Sequence, residues 1–225
     1  WRNLKSNHLK DIQIICINPT SKNISKETFD YFKKLNIDYR WEYDKYTDNF
    51  KCRYYNIPYI GSKLESEFNN DDIIIHIDLD MIILQPISER IINLKKTEII
   101  VGAYDDDNKH DKRSFNIYDK MNVTCWIVSK GGFNQFYTKW WAKLKNISRY
   151  INPETNWREY CDLEEHSVDI LKYEENLNIK YVDKFMIGPG YTDIKKHPKL
   201  KSEIVFLHAH ESQNRLNFYK QFLKK

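Results

Sequence analysis

Two aspartates one residue apart sit where a core strand should continue. DDIIIHIDLDMIILQP (residues 71–86) is an almost continuous apolar run broken by Asp78 and Asp80. Asp is seldom fully buried unless it is paired. Residues two apart on a strand face the same side, so Asp78 and Asp80 are expected to project together while Leu79 points into the packing. In open α/β sheets ligands gather at the carboxyl ends of the strands. A carboxylate pair held there is a hard-oxygen site suited to Mg²⁺ or Mn²⁺, which commonly bridges protein carboxylates and substrate phosphates. The alternative reading makes them loop carboxylates beside the N-cap of a following helix. A second spaced pair closes VFLHAH near the end of the chain, where His208 and His210 again share one face. Lys63 is the third feature. SKLESEF carries Ser62 and Glu65 in capping-box spacing, which predicts a helix starting there with Lys63 in its first turn. The helix dipole disfavours a cation at that end, so Lys63 is either explained by a neighbouring anionic ligand or is a solvated surface lysine.

The elements that position these residues can be read from periodicity. IQIICI (residues 12–17), closed by Asn18 and Pro19, reads as a buried strand. SKETFDYFKKL follows as a helix with Ser25 as N-cap and Phe29, Phe32 and Leu35 along one side. Residues 38–43 form a second strand. Residues 73–77 form a third, whose isoleucine run lacks an alternating polar face, as expected of a parallel strand covered on both sides. Further strands are predicted at 98–104, 123–129 and 203–210. GFNQFYTKWWAKL places Phe133, Phe136, Tyr137, Trp140, Trp141 and Leu144 on one helical face, and the stripe is expected to be core. Strand and helix alternation in the first half predicts an α/β fold with a mixed, mostly parallel central sheet flanked by helices.

Composition narrows the function classes. The chain has 225 residues, 41% of them hydrophobic, enough for a sizeable core. The net charge of +4 is spread along the chain without a like-charge block, so no nucleic-acid partner is expected. The longest apolar run holds two Asp and a His, so no transmembrane segment is expected. Cys16, Cys52, Cys125 and Cys161 show no CxxC spacing, against a zinc site. Cys16 and Cys125 read as buried thiols, and disulfide pairing stays open. The first residue is Trp1, as expected of a domain excised from a longer protein. The compartment is undetermined: NIS at Asn23, NVT at Asn122 and NIS at Asn146 match glycosylation sequons in a chain rich in Asn.

The segment IIIHIDLDMIILQPI (residues 73–87), a hydrophobic strand, Asp-x-Asp, then apolar residues and a Pro, resembles the metal site of glycosyltransferases with the GT-A fold. The similarity is to families typified by glycogenin and bacterial lipopolysaccharide galactosyltransferases. It implies a single GT-A (Rossmann-like) domain over 1–225, with a nucleotide-sugar-binding part at about 10–105 and an acceptor-side part at about 106–225. It also implies Mn²⁺ (or Mg²⁺) as cofactor, a donor of the UDP-hexose kind, and a carbohydrate or glycoprotein acceptor. Lys63 lies fifteen residues before Asp78, where those families commonly place a donor-contacting Arg. Their late strand supplies a His as third metal ligand, which by register is His208, with His210 the alternative. Their HxxGxxKPW pattern is not kept: HAHESQNR has Glu211 at the Gly position and Asn214 at the Lys position, with Arg215 next door as a substitute. YCDLEEHSVDIL (residues 160–171) stands where the families carry an acidic or amide motif near the acceptor, which makes Glu164 and Glu165 the candidates. A capping box formed by Asp162 and Glu165 is the structural alternative. NVTCWIVS replaces the Asn-Ser-Gly of the family.

The resemblance implies that Asp80 and His208, assisted by Asp78, hold the metal, with Lys63 and Arg215 adding positive charge. Asp78 is alternatively a ribose ligand. The base is expected near Ile17 and Asn18, the acceptor on the Glu164–Glu165 side, and retention of configuration is favoured. Two rivals stand beside this reading. A haloacid-dehalogenase-type phosphatase also sets Asp-x-Asp after a hydrophobic strand, but usually on its first strand. A catalytically inactive nucleotide-sugar-binding domain would keep the fold alone.

Overall fold

The computed structural model describes residues 13–18, 24–41, 52–69, 71–78, 81–83, 99–103, 121–129, 135–177, 179–182 and 206–208. The chain divides into two compact units, one comprising Arg2–Glu65 with Tyr137–Glu164, the other Ser66–Phe136 with Glu165–Lys225.

The first unit opens with a strand, helix, strand module. β1 (Ile14–Asn18) and β2 (Ile37–Trp41) pair in parallel, Ile14 opposite Ile37 and Asn18 opposite Trp41. α1 (Lys26–Lys34) connects them, as a parallel pair requires. Ser25 is its N-cap, as expected, its hydroxyl accepting from the Thr28 amide at 3.1 Å. Glu27 in the first turn and Lys33 and Lys34 in the last match the helix dipole. Asn36 ends the helix in the left-handed region (φ 52°), its N–H donating to Lys33 O. Phe29 and Phe32 then lean on Tyr39 of β2, with ring centroids 6.4 and 5.8 Å away.

α2 (Asn56–Leu64) follows a 3₁₀ turn at Arg53–Tyr55 and runs into another at Glu65–Glu67. Pro58 is tolerated because it lies in the first turn, where amides have no helical partner. The helix thus begins before Ser62, where the capping-box spacing had placed its start, and the Ser62 hydroxyl instead donates back to Tyr59 O at 2.6 Å. α3 (Phe136–Ile147) carries the aromatic stripe, and Phe136, Tyr137, Trp140 and Leu144 are all buried. The expectation that this stripe is core holds at those positions, while Phe133 lies outside the described residues. α4 (Trp157–Glu174) contributes its first half, to Glu164, to this unit. Cys52, Tyr55, Leu144, Tyr160 and Leu163 close a buried cluster.

The second unit holds a four-stranded sheet in the order β3-β6-β5-β7: β3 (Ile73–Ile77), β6 (Met121–Ser129), β5 (Ile99–Ala103) and β7 (Ile179–Val182). β6 is antiparallel to both neighbours, and β5 and β7 are parallel. Beside it β4 (Met81–Ile83) pairs antiparallel with β8 (Phe206–His208). The architecture is mixed α/β, as expected. The expected mostly parallel character is corrected: three of the five ladders among the described residues are antiparallel. The isoleucine run of β3 predicts a parallel strand, yet its ladder to β6 is antiparallel. All five β3 residues are partly exposed, so the apolar run fixes neither full coverage of both faces nor the direction of a neighbour. No helix among the described residues is long and apolar enough to cross a membrane.

Candidate functional site

β3 delivers Asp78. Its ladder with β6 ends at Ile77 opposite Cys125, and Asp78 follows as the first residue beyond the strand. The Met81 amide then donates to Asp78 O at 3.1 Å, a hydrogen bond between residues i and i+3. Asp80 itself lies outside the described residues.

β4 begins at Met81 and pairs with a strand from late in the chain. Met81 stands directly opposite His208, Ile82 opposite Leu207 and Ile83 opposite Phe206. Opposed residues of an antiparallel pair have Cα atoms about 4.5–5.5 Å apart. Position 208 is thus set beside the residue that follows Asp80, across a long sequence separation. His210 and Arg215 lie outside the described residues.

His76 joins Asp78, although the acid spacing alone does not single it out. It stands two residues before Asp78, and its Nε2 is 3.7 Å from Asp78 Oδ1, both side chains being partly exposed. That separation is beyond hydrogen-bond length but within ion-pair range. The signal was present in the sequence, since the two-residue spacing of His76 and Asp78 is the same as that of Asp78 and Asp80. Among the described residues no three His, Cys, Asp or Glu side chains form a metal-sized group. The carboxylate at 78 and the histidine strand at 208 are placed in one unit.

Asn18, Lys63 and Glu164 belong to the first unit. Asn18 is the last residue of β1, so it occupies the carboxyl end of a parallel pair, the edge where ligands collect in such sheets. Lys63 requires a correction. It lies in the last turn of α2, not the first, where the helix dipole favours a cation. Its ammonium rests 4.6 Å from the Tyr59 ring centroid, one turn back, a cation–π contact. The dipole argument for an anionic neighbour therefore falls, because the helix starts seven residues before Lys63.

Glu164 and Glu165 lie in the middle of α4, which begins at Trp157. The alternative of a capping box at Asp162 and Glu165 is corrected by the same fact. Glu164 is 2% exposed, and its backbone carbonyl accepts from the Trp140 indole N–H at 3.1 Å. Glu165 is partly exposed and falls in the unit that holds Asp78 and His208. The one-residue step between the two side chains is a 100° rotation about the helix, which separates a buried face from an accessible one.

No known family pattern and no curated protein matches the chain in sequence. Among solved structures the chain is similar to the crystal structure of a glycosyltransferase involved in the glycosylation of the major capsid of PBCV-1. The two share 12% sequence identity with a TM-score of 0.52, and the match covers 93% of this chain and 97% of that one. The likeness is one of fold, extended over nearly the whole of both chains.

Proposed function

We propose that this protein is a metal-dependent glycosyltransferase of the GT-A type. It moves a hexose from a UDP-sugar to a hydroxyl on a glycan or protein, with retention of configuration. The observation that carries the reading is the β4–β8 register, Met81 opposite His208, which brings a histidine strand to the residue after Asp-Leu-Asp. The likeness in fold to a glycosyltransferase supports the same reading. The whole chain then acts as one catalytic domain, with donor binding in about the first 105 residues and the acceptor side in the rest.

The donor set suits the cofactor: carboxylate oxygens from Asp78 and Asp80 and an imidazole from His208, with His210 the alternative, match Mn²⁺ or Mg²⁺ chemistry. Bound Mn²⁺ supplies charge neutralisation for a diphosphate leaving group. His76, beside Asp78, orients that carboxylate, which alternatively accepts from the donor ribose. Lys63 and Arg215 add positive charge for the diphosphate, and Asn18 contributes to the base pocket at the end of β1. Of the two candidate glutamates, Glu165 has the solvent access that an acceptor-side role needs, and buried Glu164 supports it from the helix interior.

The test is a thermal-shift titration with UDP, with and without Mn²⁺, followed by hydrolysis of UDP-hexoses. The reading requires UDP to raise the melting temperature only when Mn²⁺ is present. Asp80→Ala and His208→Ala should both abolish that shift and lower turnover by at least about 100-fold. Full activity in Asp80→Ala would sink the metal assignment. Mn²⁺-dependent UDP binding without hydrolysis or transfer of any donor would leave a binding domain instead of an enzyme.

A further inference from the structure

We propose that Cys52 and Cys161 form a redox-sensitive disulfide that staples the two chain segments of the first unit together. Cys52 comes from the segment Arg2–Glu65 and Cys161 from Tyr137–Glu164, so a bond between them joins the two pieces of chain from which that unit is built. Cys52 is 2% exposed within the cluster of Tyr55, Leu144, Tyr160 and Leu163, and Cys161 packs against the same cluster. Both thiols are reduced here, and the Cys161 thiol adds to the upward push on Cys52, so the two side chains share one packed cluster, as partners in a disulfide must.

The surrounding aromatics hold the two segments in register for this bond. The Tyr55 hydroxyl donates to Tyr160 O at 2.5 Å, and the two rings lie 4.9 Å apart. Cys52 precedes Tyr55 by three residues and Cys161 directly follows Tyr160. The pair is therefore fixed from both sides by contacts that do not involve sulfur.

Access is asymmetric, and it sets the order of steps. Cys161 is partly exposed whereas Cys52 is enclosed, and burial raises the Cys52 thiol well above its ordinary range. A small disulfide oxidant such as oxidised glutathione first meets Cys161. The Cys161 thiolate attacks one sulfur of that disulfide and expels one glutathione thiolate, which takes up the Cys161 proton. The Cys52 sulfur then attacks the Cys161 sulfur of the mixed disulfide and expels the second glutathione, which takes up the Cys52 proton. Two protein thiols are oxidised and one glutathione disulfide is reduced to two thiols. The poor thiolate character of Cys52 makes the second step the slow one.

The experiment does not depend on any activity. Full-length protein is incubated with oxidised glutathione or with dithiothreitol, unreacted thiols are alkylated, and non-reduced peptides are mapped by mass spectrometry. The expected result is a Cys52–Cys161 linked peptide in the oxidised sample, lost in both Cys52→Ser and Cys161→Ser. A melting temperature about 10 °C above that of the reduced protein should accompany it, from closure of a loop of about 110 residues. The wild-type map stands even if a serine variant folds poorly. Alkylation of all four cysteines after oxidation overturns the proposal. So does a bridge to Cys16 or Cys125, or Cys161 halted as its glutathione adduct.

Discussion

Glu65 shows how a residue's local spacing and its real partner can part company. Ser62 and Glu65 have the spacing of a capping box, yet Glu65 caps a different helix. Its carboxylate accepts from the Tyr137 and Thr138 amides, both at 3.2 Å, and from the Thr138 hydroxyl at 2.7 Å. Those amides are among the four at the start of α3 that lack a helical partner. Glu65 is 5% exposed and Tyr137 is buried, so removing the carboxylate strips the buried Tyr137 amide of its acceptor, while the exposed Thr138 can turn to water. Glu65→Ala should cost about 2–3 kcal/mol in urea unfolding. Glu65→Gln, which keeps one acceptor oxygen, should lose less. An Ala variant as stable as wild type would show that the cap contributes nothing.

At the scale of elements, α2 and α3 meet at a glycine. A Cβ at Gly61 would run into the Tyr137 ring, lying 2.6 Å from Cγ and 2.8 Å from Cε1 with Cδ1 closer still. Tyr137 is buried, and its Cγ sits too near the backbone to swing aside. Two effects oppose each other in Gly61→Ala. Helix propensity favours Ala by about 1 kcal/mol, whereas overpacking typically costs 1–3 kcal/mol. With ring carbons inside any normal contact distance, packing decides: the variant should melt lower than wild type, as differential scanning calorimetry can measure. A higher melting temperature would mean that α3 shifts freely away from α2.

For the whole molecule, buried acids that keep their protons make alkaline stability the telling property. Burial is the first cause that raises the Tyr55 and Tyr160 phenols and the Cys52 and Cys16 thiols above their ordinary values. The unfolded chain gives up these protons first, at about pH 8.5 for thiols and about pH 10 for phenols. Their contribution to stability is therefore complete below those values and is lost as pH rises beyond them. For the enclosed Cys52 and Tyr55 the slope is about 1.4 kcal/mol per pH unit each. Urea midpoints in reductant from pH 8 to 11 should fall for wild type, with a break near pH 10 that Tyr55→Phe reduces. Parallel curves for the two proteins would remove Tyr55 from the account.

Much of the chain was legible without its structure, for identifiable reasons. β3 falls on its predicted residues because an isoleucine run bounded by polar residues has few other homes. Ser25 caps α1, and the buried aromatic face of α3 follows helical spacing, because both signals are complete within a few residues. Lys63 was misplaced within its helix for the opposite reason. That placement assumed where the helix begins, and that limit depends on partners far along the chain. The start of α2 lies in a segment whose buried partners, Leu144, Tyr160 and Leu163, come much later in the sequence.

By itself the sequence determined which residue types could do chemistry and which segments are apolar enough to be strands, since both are properties of composition and short-range spacing. Only the tertiary structure decided strand direction in the central sheet, the hydrogen bond from Met81 to Asp78, and the seat of residue 208 opposite Met81. Strand direction and that seat are set by hydrogen-bond ladders between distant segments, and no local pattern records which distant segment a backbone will choose.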